Sequence, residues 1–477
     1  MTEQSKGIRT QHPDYMRMGP MWEMCEDASD GERAVHDKRE TYLPKLIGES
    51  AAAYKARLQR TPFFNATWRT ISGMKGMLFR NAPKIEVPSA VQPYLEDVDM
   101  AGTPFALFAQ ECAEDILEVG RIGLLVDHPP MPVNEDGTPL TQAQAERLGL
   151  RPMVQRYDAD CIINWKSDRI NNVMQMVLVV LKEEAPISTD PYSHKTETRY
   201  RELALTPAGY RQRLFRINDK DQDEQVGDDI IPLVNGKPLP FIPFTFIGTD
   251  DLSPDVELPP LFDLVTMNFH HYRVSADYEH GCHFSGLPTP VISGYNAEEG
   301  EKLYIGGEAI ITLRDPHATA AYMEIQGEFE ALRKNKEDKK AEMAVLGARM
   351  LEEKTASVES DATLRTRSQG EQSQLAAMAH VLSMGLTKVL GWMAEWAGAA
   401  GNVSVEINRE FVPVGLTAQE LTALVGAWQS GMPGTSDENV YRLMQKREMA
   451  DPEVPFEVEQ ERLASRGPRG NAGLLGA

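Results

Sequence analysis

"PPLFDLVTMNFHHYRVSADYEHGCHF", residues 259–284, is the stretch on which the architecture turns. Paired prolines suit the entry to a helix, because proline lacks the amide that the first turn leaves unbonded anyway. Leu261, Leu264, Val265, Phe269, Tyr272 and Ala276 then recur at three- and four-residue spacings, predicting a helix of about five turns with one apolar face. Its second half, residues 269–284, holds four of the chain's ten histidines, one of its four cysteines and two carboxylates. That density suits either a metal or catalytic centre or a structural helix. A metal needs ligands at i and i+3 or i+4 on one helix face. His271 shares a face with Ser275, and His270 with Arg273 and Val274. His280 and His283 meet only if the helix runs on through Gly281. A site made of His280, Cys282 and His283, with Asp277, therefore makes more demands than the polar face and frayed end of a long helix.

Upstream, residues 1–80 read as helices with short breaks. Tyr54, Leu58, Phe64, Trp68, Ile71 and Met74 keep a helical period, and Pro62 divides them into two helices. "TPFALFAQECAEDILEVG" (103–120) predicts a helix N-capped by Thr103, with Pro104 at its first position, a stripe of Phe105, Phe108, Cys112, Ile116 and Val119, and a stop at Gly120. The period then changes to that of strands: "RIGLLVDHP", residues 174–184, 198–205, 210–217 and 240–248, with "TPAG" (206–209) as a hairpin turn. Residues 120–250 thus predict a mixed, mainly antiparallel sheet laid on the preceding helices. Asp158 and Asp160 in "YDADCIINW" read as an acidic turn before a strand.

Downstream, Gly and Pro break up short strand-like runs at 285–313, and residues 324–353 return as a charged helix. Within it "LRKNKEDKKAEM" (332–343) is the one local basic cluster, and its mixed signs suit a solvated, salt-bridged face or a surface facing phosphates or a neighbouring subunit. The polar run at 354–374 predicts a loop followed by helix, and 375–398 an apolar helix. Two weaker helices are expected around 417–430 and 436–449, before a Gly-rich tail expected to be disordered.

Composition narrows the function classes. With 49 basic and 71 acidic residues, the 477-residue chain carries a formal charge of −22, which argues against a protein whose main task is to grip phosphates. Cys25, Cys112, Cys161 and Cys282 form no CxxC pair, so a reducing compartment fits. The polar N-terminus has no apolar signal region. Residues 375–401 are long enough to span a bilayer, yet His380, Lys388 and Glu395 make a buried helix the expectation and membrane contact none. There is no GxSxG elbow, phosphate loop or dinucleotide fingerprint, so no cofactor and no enzymatic role are expected.

A chain that leaves its body on one helix and returns on another builds a projection that neighbours must support, a sign of a ring. "HPDYMRM", "YLPKL", "YKARLQRTPFFNATWRTISGMKGMLFR", "EVGRIGLLVDHP", "YDADCIINW", "IPFTFIG", "PPLFDLVTMNFHHYRVSADYEHGCHFSGLPTPVISG" and "AEMAVLGARML", in this order over residues 10–400, resemble a family of tailed-bacteriophage portal proteins long catalogued as a domain of unknown function. The resemblance implies an α+β portal fold: residues 1–257 a wing, 258–284 a stem helix, 285–317 a small α/β clip, 318–355 a returning stem or channel helix, 356–400 a channel loop with a wing or crown helix, and 401–477 a helical crown. It implies a virion protein, assembled in the host cytoplasm, that forms a ring of about twelve copies at one capsid vertex. Double-stranded DNA would be packaged and ejected through that ring. Partners would be the large terminase subunit, head-completion, adaptor or tail proteins, and the major capsid and scaffolding proteins.

On that reading His270, His271, Tyr272, Arg273 and Asp277 are candidates for subunit contacts along the stem, and a ring held by these histidines would respond to pH between about 5 and 7. Pro288, Pro290, Gly294, Tyr295 and Tyr304 are candidates for partner docking at the clip, and Lys334, Lys336, Lys339 and Lys340 for the DNA channel. The competing readings are a metal-dependent hydrolase built on His280, Cys282 and His283, and another head-completion or adaptor protein of the virion.

Overall fold

The structure is a computed structural model that describes residues 7–129, 144, 147–187, 190, 192–234, 236–286, 289–293, 317, 319–323, 329–348, 361–409, 411, 418–446, 449–451 and 454–465. The chain divides into two compact units after Asn408.

The first unit begins with four helices, α1 (Pro13–Asp30), α2 (Glu32–Asp37), α3 (Ala51–Arg60) and α4 (Ala66–Leu78). Each longer one has a local start signal. The His12 ring nitrogen accepts from the Asp14 amide with Pro13 just inside α1. Ser50 Oγ accepts from the Ala53 amide, and Asn65 Oδ1 accepts from the Trp68 amide at 2.8 Å. Pro62 falls between α3 and α4, as its missing amide requires.

Helix α5 (Phe105–Val119) buries the whole expected stripe of Phe105, Phe108, Cys112, Ile116 and Val119 and stops at Gly120, whose φ of 87° favours glycine. Its start differs from the sequence reading. Pro104, in extended conformation, is the N-cap, and Thr103 lies outside the helix with its amide donating to Asp99 Oδ1 at 3.2 Å. The Asp99 turn holds Thr103 in place of the helix end.

Two antiparallel sheets follow. In the first, β2 (Arg121–Asp127) is the middle strand between β11 (Phe244–Gly248) and β3 (Met153–Asp158). Every residue of β2 is buried, which explains its continuous apolar run. Gly123 is obligatory there, since a Cβ would stand 2.3 Å from the Phe244 ring and 2.7 Å from Ile162. The second sheet is a five-stranded meander of β4 (Ile162–Ile170), β5 (Val173–Pro186), β6 (Thr196–Thr206), β7 (Gly209–Ile217) and β8 (Asp223–Gln225). Pro207 and Ala208 turn the expected hairpin, with Thr206 opposite Gly209. Among the described residues every ladder is antiparallel, so the expected mixture is absent there. Three short pairs complete the strands: β1 (Lys84–Glu86) with β14 (Ser404–Glu406), β9 (Leu233–Val234) with β10 (Lys237–Pro238), and β12 (Thr289–Ser293) with β13 (Thr319–Met323).

Three long helices complete this unit: α6 (Phe262–Gly286), α7 (Glu330–Met343) and α8 (Asp361–Trp396). Helix α8 starts at Asp361, so the helix expected within the polar run and the apolar helix expected from 375 are one continuous element. Its apolar half packs on β11. Leu382, Leu386, Val389, Leu390 and Met393 have no exposed area, and Gly385 lets the helix approach Ile247 closely. Length and apolarity alone would let Gln374–Trp396 cross a membrane, and this burial accounts for that character without one.

The second unit holds α9 (Ala418–Gln429), α10 (Asp437–Lys446) and α11 (Phe456–Ser465). The first two match the expected helices. The third begins where only a tail was expected, with acidic Glu457 and Glu459 in its first turn.

Candidate functional site

The helical hairpin is built from α6, the β12–β13 ladder and α7. Close approaches fix the direction of the two helices. Gly281 of α6 lies against Phe329 at the head of α7, where a Cβ would come within 2.7 Å of the ring. Lys336 lies 3.9 Å from Glu279 and 4.7 Å from the Tyr278 ring centre, and Gly347 approaches Leu261. The chain therefore goes out on α6 and back on α7 in antiparallel contact, with Thr289–Ser293 paired to Thr319–Met323 beyond their far ends. Past α7 the backbone runs as a π-helical turn, Ala344–Ala348, with Gly347 at φ 128°. Gly347 is non-helical, so the chain kinks there.

The base of α6 is anchored by its apolar stripe. Leu261, Leu264, Val265, Phe269, Tyr272 and Ala276 are all buried, and the last four pack with Met18, Trp22, Cys25, Tyr42, Leu43, Tyr54 and Phe63. Phe269 stacks on Tyr42 with ring centres 4.1 Å apart. A polar clamp sits in the same wall. Asn268 Oδ1 accepts from the amides of Ala66 (3.1 Å) and Thr67 (3.3 Å), and its Nδ2 donates to Phe64 O (2.9 Å). Asn268 thus bonds the Ala66 and Thr67 amides at the start of α4 and ties that helix to the stem. Sequence reasoning missed it, because an asparagine inside an apolar stripe carries no sign of what it faces.

The five stem candidates separate. His270 and Asp277 are exposed. Tyr272 has no exposed area, His271 is 6% exposed, and Arg273 donates to Tyr42 O at 3.1 Å. Arg273, half-buried, makes one bond to the same intrachain wall, whereas Tyr272 and His271 are core residues of the single chain. They sit on the side of the helix that the body covers, and periodicity does not say whether body or neighbour does the covering.

Burial, reinforced by Lys336 and Lys340, pushes the His271 imidazole down to about 4. The pH response expected of it therefore changes in kind. Unfolded His271 takes up its proton near 6.5 and the folded ring only near 4. Between those values the unfolded chain binds more protons, so stability falls as pH drops through this window and is unaffected above it. From pH 7 to pH 5 the residue is expected to cost the first unit about 2 kcal/mol. Urea midpoints of wild type and His271→Phe at both pH values check this, with the wild type losing more.

The basic cluster resolves into four different placements. Arg333 pairs with Glu330 (2.5 Å) and Glu337 (2.7 Å) on its own helix, and Lys339 with Glu342 (2.9 Å). Lys336 turns to α6, as above, and Lys340 lies over the Phe64 ring at 5.8 Å. Lys334 is exposed. The four lysines do not form one face, since an i,i+4 pair turned toward α6 leaves the other two pointing elsewhere.

Of the clip candidates, Pro290 lies in β12 opposite Tyr322, while Pro288, Gly294, Tyr295 and Tyr304 fall outside the described residues. The helix does continue through Gly281, so His280 and His283 are one turn apart. His283 Nε2 lies 3.3 Å from an Arg60 guanidinium nitrogen, a cation where a metal site would want another ligand. Among the described residues no three His, Cys, Asp or Glu side chains come together as a metal site. Asp158 precedes and Asp160 lies within the short turn Ala159–Cys161 before β4, where the Tyr15 hydroxyl donates to Asp160 O at 3.0 Å.

No curated protein matches this chain. Among solved structures it is similar to a chain of the virion of the native gene transfer agent particle, at 12% identity and TM-score 0.42, covering 85% of this chain and 98% of that one. A chain from the neck of the empty particle, computed with C6 symmetry, shows 13% identity and TM-score 0.41 over 84% and 94%. One from the neck of the native particle, computed with C12 symmetry, shows 11% and 0.40 over 81% and 92%. Residues 260–397, which take in α6, the β12–β13 ladder, α7 and α8, match the family described as Domain of unknown function (DUF4055).

Proposed function

We propose that this protein is the portal, or head-to-tail connector, subunit of a tailed bacteriophage, forming a ring of about twelve copies through which double-stranded DNA is packaged and ejected. The observation that carries this reading is the hairpin of a helix out, a two-stranded ladder and a helix back, whose first helix packs into the N-terminal helices. The ordered resemblance of residues 10–400 to portal proteins supports it. Such a subunit works by shape and charge rather than by turnover, and so acts as a conduit rather than an enzyme.

In this reading His270 and Asp277, on the open side of α6, meet the neighbouring subunit. The ladder end meets the terminase during packaging and neck or tail proteins afterwards. The excess of acidic residues keeps DNA from adhering as it passes, because like charges repel a polyanion. Lys334 and Lys339 are the lysines of the returning helix left to face a bore.

Negative-stain electron microscopy of the purified chain is expected to show rings with a central channel and about twelve-fold symmetry. Monomers at every protein concentration would overturn the ring.

A further inference from the structure

Arg121, the first residue of β2, is buried without a direct ion pair, and Asp14 and Asp255 act on it only from farther away. It is 4% exposed, and its Nη2 has no hydrogen-bond partner. Its Nη1 makes only a long contact of 3.5 Å to Pro254 O. No carboxylate among the described residues lies within ion-pair distance of it. Instead its guanidinium lies between two rings, 3.9 Å from the Phe246 centre and 4.7 Å from the Trp165 centre. Those rings offset part of the desolvation cost, but a buried cation with an idle donor is an arrangement that proteins usually complete with an anion.

Two of its neighbours, Phe246 and Pro254, also line a cleft of about 600 Å³. Arg121 itself does not line the cleft but contacts two residues that do. The cleft itself is aromatic and apolar, with Phe241, Phe244 and Trp392 among its walls, and Phe241 stacks on Trp392 at 5.6 Å. Lys388 extends along Trp392 and donates to Thr245 Oγ1 at 3.2 Å. Gln175 contributes an unpartnered side-chain oxygen to the same wall. Asp255 also lines the cleft and is the one carboxylate there.

We propose that this cleft binds an amphipathic carboxylate, with its apolar body against Phe241, Phe244 and Trp392 and its carboxylate on Arg121, Lys388 steering it at the mouth. Charge complementarity selects the occupant: Lys388 lines the cleft, Arg121 lies against its wall residues Phe246 and Pro254, and the Arg121 fork matches a carboxylate in two-point contact. Asp255 sets the limit on charge, because its negative group tolerates a monoanion better than a dianion. Binding requires the Pro254 segment to yield its long contact to the incoming carboxylate.

The test uses the full chain with 2-naphthoate and, as a neutral ligand of the same shape, 2-naphthamide, measured by equilibrium dialysis. Naphthoate is expected to bind at least about ten-fold tighter than the amide, with that preference lost in Arg121→Met and reduced in Lys388→Met. Inorganic phosphate at equal concentration is not expected to displace it. Hydrogen–deuterium exchange on the wild type gives a readout that no variant can spoil: peptides covering 121–127 and 249–257 should slow with naphthoate and not with naphthamide. Equal binding of acid and amide, a preference that survives Arg121→Met, displacement by phosphate alone, or unchanged exchange would each overturn the proposal. None of these outcomes depends on ring formation, so this site and the portal reading stand or fall separately.

Discussion

Tyr272→Ala is expected to destabilise the first unit by about 3–5 kcal/mol, the range for emptying a fully buried aromatic site. The ring has no exposed area and meets Phe63 edge-on at 5.7 Å and His36 at 6.1 Å. Tyr272→Phe separates packing from polarity. The hydroxyl has no partner, so its removal should be neutral or slightly stabilising. His270→Ala, two residues away on the open face, should stay within about 0.5 kcal/mol in the isolated chain. Urea unfolding followed by circular dichroism checks all three. A loss for His270→Ala comparable to that of Tyr272→Ala would mean that the assignment of covered and open faces is wrong.

The second large effect is expected at the Arg57–Glu49 pair. Arg57 Nε and Nη2 donate to the two Glu49 oxygens, each at 2.9 Å, and Nη2 donates also to Pro44 O at 2.8 Å. Both side chains are almost fully enclosed, at 2% and 5% exposed. Arg57→Ala leaves a buried carboxylate alone and should cost about 3–5 kcal/mol, whereas Arg57→Met with Glu49→Leu should recover most of it. The paired guanidinium pulls the Glu49 carboxyl down to about 2 from its ordinary 4.5. The pair therefore stabilises fully above the ordinary value and progressively less as pH falls toward 2, and thermal midpoints measured downward from neutral pH should show that decline in wild type and not in the double variant. A double variant no more stable than Arg57→Ala would show that the pair adds stability of its own.

Much of this architecture was legible in advance because it depends on local rules. The six apolar residues of α6, the five of α5, the Pro62 break, the Gly120 stop and the Thr206–Gly209 turn each follow from period, missing amides or positive φ, and all stand where the residues put them. The errors cluster where a distant group decides. Thr103 lost its capping role to the Asp99 turn. The chain past Pro455 forms the helix α11, where only a tail was expected.

The candidate site shows the same division more sharply. The pattern of residues 259–284 was enough to establish a long one-faced helix and to make a metal centre the more demanding reading, because spacing along a helix is a matter of geometry within one segment. What covers that face was decided only by the fold. Asn268, His271 and Tyr272 take their roles from Ala66, Thr67, Phe63 and Lys340, residues brought from far along the chain. Arg121 shows the limit most clearly: in "RIGLLVD" it reads as an ordinary strand end, and only the meeting of β2, β4, β11 and the Pro254 segment turns it into a buried cation between two rings. Local pattern governs which face is apolar, whereas partners, burial and the pKa values they impose arise from contacts that exist only once the chain has closed on itself.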